Sequence, residues 1–115
     1  MATTEQCRAA LERLARNLAD AEGDVRSAAA VERSVSCHLT DLDTTFAGRL
    51  VHGRIEDMTT VPGPPPERAQ IRLVMTGDDL VSLVEGRLDF ARAWARGRVR
   101  LEAGLRDLLR LRSLL

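Results

Sequence analysis

The chain reads as an α+β domain: a five-stranded, mainly antiparallel sheet covered by about five helices. Three observations carry that reading. Apolar residues recur at three-and-four spacing near both ends, whereas between them the period drops to two. The helical patterns are grouped and not alternated one by one with the strand patterns, which favours segregated layers. At 115 residues, with no internal repeat and no linker, there is material for one domain with its own core.

Glu5 to Ala21 is the first helix: Leu11, Leu14, Ala15 and Leu18 form one apolar stripe, with Glu12, Arg13, Arg16 and Asp20 around it and Thr4 as its cap. Gly23-Asp24 breaks it, and a weak helical pattern follows across Arg26 to Val31. From Arg33 the alternation of Val35, Cys37 and Leu39 with Ser34, Ser36, His38 and Thr40 describes a half-buried strand. Asp41-Leu42-Asp43 turns the chain into a second strand, Thr44 to Val51, and His52-Gly53 makes a tight turn into a third, less regular one, Arg54 to Thr60. The run Val61 to Pro66 holds too few backbone donors for regular structure and is a stiff loop. Ile71, Leu73 and Met75 alternate in a fourth strand. The strands together suggest an antiparallel meander.

Thr76 to Asp79 starts a helix with a capping hydroxyl and two acids that suit the positive end of its dipole. Leu80, Leu83 and Val84 face inward and Gly86 ends it. Leu88, Phe90, Ala91 and Trp94 form the apolar side of the next helix, closed by Gly97. Val99 and Leu101 mark a fifth strand. Leu105, Leu108, Leu109, Leu111 and Leu114-Leu115 make a strongly apolar last helix.

Composition excludes several functions. Acidic and basic residues balance at 17 each, so no overall field draws the chain to nucleic acid or an anionic membrane. Every basic residue is Arg; that fits a GC-rich bacterial genome and rules out lysine Schiff-base chemistry. No apolar run approaches the ~20 residues that span a bilayer, and the start has no secretory pattern. A soluble, cytoplasmic protein is expected, with Cys7 and Cys37 as free thiols.

The segments Thr76-Gly77-Asp78-Asp79-Leu80, Glu85-Gly86-Arg87-Leu88 and Ala93-Trp94-Ala95-Arg96-Gly97-Arg98, closed by Leu111-Arg112-Ser113-Leu114, resemble in order and spacing the sterol carrier protein type 2 family. The resemblance implies a small lipid-binding domain whose sheet and helices close around an apolar tunnel. Two departures stand out: Arg106-Asp107 is more polar than the family pattern, and the C-terminal Ser113-Leu114-Leu115 is not a peroxisomal address.

Candidate ligand-binding residues are Leu73 and Met75 of the fourth strand; Leu80, Leu83 and Val84 of the following helix; Leu88, Phe90 and Trp94 of the next; Leu101; and Leu108, Leu109 and Leu111 of the last helix. Periodicity alone fits a filled core equally well, and the resemblance is what implies a cavity. The last helix reads either as a packing or dimer contact or as a movable wall over the tunnel, with Arg106, Arg110 and Arg112 able to snorkel. The expected ligand is a fatty acyl, sterol-like or similar lipid, bound by a monomer or homodimer.

Catalytic chemistry has little support. His38 and Cys37 are adjacent on a strand and so point to opposite faces, and His52 sits in a turn. Asp41 and Asp43 lack the further ligands a metal needs. Neither a cofactor nor an enzyme activity is expected. Trp94, Phe46 and Phe90 are the whole aromatic complement and read as buried, which argues against nucleic-acid stacking. Arg96, Arg98 and Arg100 read as a solvated strand end, with transient contact to a lipid head group or membrane surface as the alternative. The rival functions are an accessory that shapes an apolar intermediate in a biosynthetic pathway, and a structural dimerising domain without ligand.

Overall fold

The computed structural model describes residues 2–19, 32–52 and 54–112. Its elements, in chain order, are α1 (Thr4–Ala19), β1 (Arg33–Leu39), β2 (Thr44–Val51), β3 (Arg54–Pro62), β4 (Ile71–Met75), α2 (Gly77–Val84), α3 (Phe90–Ala95), β5 (Arg100–Ala103) and α4 (Leu105–Arg112). The α+β class and the number of strands are as the sequence predicts, but β3 runs on through Val61 and Pro62, which the sequence places in the loop. Four helices lie among the described residues where about five are expected; the weak pattern at Arg26 to Val31 and the Gly53 half of the hairpin turn lie outside them.

The expected meander needs correction. The strand order is β3-β2-β1-β4-β5, so β4 skips the first hairpin and joins β1. That pairing is parallel, from Val35 opposite Ile71 to Leu39 opposite Met75, and the other three pairings are antiparallel. The proline-rich segment after β3 is the physical reason: too poor in donors to form a hairpin, it carries the chain across two strands instead. Ser34 and Gln70 then fix the register at its start. The Gln70 amide donates to Ser34 Oγ (2.8 Å) and the Ser34 amide donates to Gln70 Oε1 (3.0 Å).

Alternation gives the sheet one apolar face, with Val35, Cys37 and Leu39 beside Phe46, Ile71, Leu73 and Met75. The other face carries Ser34, Ser36, His38, Thr45 and Arg72. Phe46, Leu39, Met75 and Leu80 are buried with Cys7, Ala10, Ala93 and Val99 in the core between this apolar face and the helices.

Helix α1 begins one residue earlier than its sequence pattern suggests, because the cap is Thr3 and not Thr4. Thr3 Oγ1 accepts from the Gln6 amide (3.1 Å) while Gln6 Oε1 accepts from the Thr3 amide (2.8 Å), a reciprocal capping box. At α2 the expected cap is found: Thr76 Oγ1 accepts from the Asp79 amide at 3.2 Å. Helices α2 and α3 end alike, with Gly86 (φ 77°) and Gly97 (φ 76°) in the left-handed region. In each case the next residue, Arg87 or Arg98, donates its amide back to the carbonyl of Ser82 (2.8 Å) or Ala93 (2.9 Å).

Candidate functional site

The apolar stripe of α1 lies across the apolar face of the sheet without filling the space between them. What remains is a cavity of about 170 Å³. Leu11, Leu14 and Ala15 form its roof, and Val35, Cys37, Phe46, Leu50, Ile71 and Leu73 line its floor. A β-bulge closes one side. Opposite Gly48, strand β3 holds one residue more than β2 needs, with Asp57 at φ 56°. Ile55 and Met58, three positions apart, would face opposite ways in a regular strand; the extra residue lets both line the cavity.

Gly48 is required by the same device. A Cβ there would stand 3.0 Å from the Glu56 carbonyl oxygen and 3.2 Å from Ile55 Cγ2. The roof is seated by a second close approach. Cys7 of α1 lies over Gly77, where a Cβ would meet its Sγ at 2.9 Å, and the thiol donates to the Gly77 carbonyl at 3.7 Å. The Ala2 amide donates to Asp78 Oδ1, and the Gly77 amide donates to Asp41 Oδ1 at 2.8 Å. Asp41 is therefore a structural acceptor at the start of α2.

Among the described wall residues Cys37 is the single ionisable group. Burial, reinforced by the neighbouring Cys7 thiol, pushes its thiol up to about 12, so it stays protonated and unreactive at neutral pH. Burial also raises Cys7, with Asp41 and Asp78 adding to the shift. The described lining offers shape and apolar surface. Beyond Ala15, Ile55 and Met58 it continues into a groove of about 340 Å³ between α1 and β3, flanked by Arg8, Glu12, Arg16 and Thr60. Among the described residues no group of three or more His, Cys, Asp or Glu is arranged to hold a metal, and no helix is long and apolar enough to cross a membrane.

No family model and no curated protein matches the sequence. Solved structures do match. A crystal structure of sterol carrier protein 2 is 22% identical, with a TM-score of 0.63 over 93% of this chain and 84% of that one. Sterol carrier protein 2 like 2 from Aedes aegypti is 10% identical, with a TM-score of 0.65 over 96% and 97%. This is the sterol carrier protein 2 fold. It also matches part of a larger enzyme, a double mutant of the sec-alkyl sulfatase PisA1: 22% identity and a TM-score of 0.55, over 80% of this chain and 15% of that one.

Within the sterol carrier fold the twelve residues singled out from sequence separate into groups. Leu73 lines the cavity. Met75 and Leu80 are buried in the packed core, and Leu83, Val84, Leu88 and Phe90 pack against it. Trp94 is half-buried, its ring centroid 6.1 Å from that of Phe90. Leu101 pairs with Leu73 across β4 and β5. Leu108 is half-buried, Leu109 is 57% exposed, and the Leu111 side chain lies outside the described residues. Apart from Ile71 of β4, the remaining cavity walls come from α1, β1, β2 and β3. Their signal was present in the sequence as two apolar faces of different period, the α1 stripe and the Val35-Cys37-Leu39 alternation, each needing a partner.

Proposed function

We propose that the chain binds a hydrophobic ligand, an acyl chain or similarly slender apolar molecule, in the cavity between α1 and the sheet. The observation that carries this reading is a wall without charged residues, in a fold shared with solved sterol carrier proteins. Size refines it. Small-molecule pockets usually start near ~300 Å³, whereas an engineered apolar cavity of about 150 Å³ suffices for benzene. A cavity of about 170 Å³ takes the end of a chain and not a whole steroid. The rest of the ligand follows the contiguous groove, towards a polar end beside Arg8, Glu12 and Arg16.

Leu73 belongs to the proposed binding surface, joined by Leu11, Leu14, Val35, Phe46 and Met58. The core-side group from Met75 to Phe90 backs it. At ~25 cal/mol per Å² of apolar surface, burying a few hundred Å² supports micromolar binding after association costs. The protein acts as a binder without turnover, in an aqueous compartment.

The test is native mass spectrometry of the purified chain with solvent extraction, followed by uptake of a fluorescent fatty acid. Co-purifying lipid or saturable uptake is expected. Leu14→Trp, which fills the space under α1, abolishes uptake while the fold is retained by circular dichroism. A clean apo mass with no uptake by the wild type would sink the proposal. The likeness to part of a sulfatase favours one second reading, an enzyme-associated domain that shapes an apolar substrate. Turnover that survives combined His38→Ala, His52→Ala and Asp41→Asn substitution would support it.

A further inference from the structure

Away from the apolar cavity, the two glycine turns that end α2 and α3 enclose a pocket of about 280 Å³. Four exposed arginines line it, Arg87, Arg92, Arg96 and Arg98, with one acidic residue, Asp89. The arrangement follows from local structure. Arg87 and Arg98 each stand immediately after a left-handed glycine, in equivalent positions of two successive helix ends, so both turns bring an arginine back across the same gap. Arg92 and Arg96 lie four apart on α3 and its C-cap, on one side of the helix, whose other side packs Ala93 and Phe90 into the core.

Solvated helix-end arginines account for part of this, since cations suit a helix C-terminus. The four differ in how they are paired. Arg98 pairs with the largely buried Asp79, and Arg87 pairs with Glu85 at 2.8 Å. Arg92 and Arg96 make no ion pair or side-chain hydrogen bond among the described residues, although like charges at this spacing repel. Asp89 is already engaged, its Oδ2 accepting from the Arg92 amide at 3.2 Å. Arg100, which sequence reading grouped with Arg96 and Arg98, turns instead to Glu102 at 3.1 Å on β5. In a chain with no net charge, this is a local concentration of positive charge with two unmatched guanidinium forks.

We propose that this pocket binds a phosphoryl group. Planar arginine forks match the oxygens of phosphate with paired charge-assisted hydrogen bonds, and a bound dianion would relieve the repulsion between Arg92 and Arg96. The phosphoryl group belongs either to a soluble phosphorylated molecule or to a lipid head group at a membrane surface. The site is independent of the apolar cavity, and neither binding event requires the other.

The full chain is titrated with inorganic pyrophosphate by calorimetry at low salt, and sedimented with phosphatidylcholine vesicles with and without phosphatidic acid. The double variant Arg92→Gln/Arg96→Gln is compared with Arg54→Gln/Arg68→Gln, which removes the same charge from exposed positions elsewhere. Expected is a loss of about tenfold or more in pyrophosphate affinity for the first pair and little change for the second. Pyrophosphate binding without vesicle binding identifies a soluble ligand. Sedimentation only with phosphatidic acid vesicles, lost in the first pair, identifies the head group. Absence of both in the wild type, or equal loss in the two variants, overturns the proposal. Fatty-acid uptake, unchanged by Arg92→Gln/Arg96→Gln, reports separately on the apolar cavity.

Discussion

At the scale of single residues, two glycines fix the shape of the candidate site through close approach. Gly77→Ala drives a methyl group against Cys7 Sγ and Leu42 Cδ1, at 2.9 and 3.2 Å. It is expected to cost about 1–3 kcal/mol and lower the melting temperature. Adding Cys7→Ala removes the nearer obstacle, so the double variant loses less than the sum of the singles; strict additivity in a double-mutant cycle would show that the contact carries no strain. Gly48→Ala is expected to cost a similar ~1–3 kcal/mol, because the Glu56 carbonyl is backbone and has little room to give. Neither requirement was legible in the sequence. Thr76-Gly77 announces a helix start, but the need for a bare Cα arises from a helix some 70 positions away. By contrast, Thr76, Gly86 and Gly97 act within their own turns, and their roles could be read directly.

At the scale of elements, what could be read was existence and period; what could not was partnership. The alternation of β1 and β4 marks both as strands, yet nothing local says that β4 will lie parallel to β1. That follows from where the proline-rich crossing delivers the chain and from the Ser34–Gln70 clasp. Irregularity in β3 was visible, but its meaning as a bulge that turns both Ile55 and Met58 inward requires the opposite strand. The polar start of α4 has a similar explanation. Asp107 is largely buried and accepts from Arg33 Nε at 3.0 Å, tying α4 to the first residue of β1 while Leu105 and Leu109 on the same helix stay exposed. The pair is partly solvated, so Asp107→Asn is expected to cost only about 1 kcal/mol in denaturant unfolding. A loss near zero would mean that the charge of the Arg33–Asp107 pair does not help to seat the helix.

At the scale of the whole molecule, composition gives the chain an unusual response to alkali. It has no tyrosine and no lysine, so between the ordinary thiol range and the guanidinium range its titrating side chains are Cys7 and Cys37. Both are raised by burial in the folded state, Cys37 to about 12. The unfolded chain therefore loses these protons first. Stability is fully present below the ordinary thiol value of 9.0 and is lost as pH rises through the window up to about 12. Cys37 sets a limit of about 1.4 kcal/mol per pH unit for its own proton. Cys37→Ala is expected to flatten that slope in denaturant melts at successive pH values, and an unchanged slope would refute the assignment. The arrangement of α1 has a different consequence. The sheet is knitted by its own backbone ladder, whereas α1 rests on it through side chains and the seat at Gly77. Its amides are expected to exchange with deuterium faster than those of β1 and β2, because the helix can lift while the strands stay paired. A cargo beneath it would slow that exchange, and its residence time would be governed by the breathing of one helix, not by the lifetime of the fold.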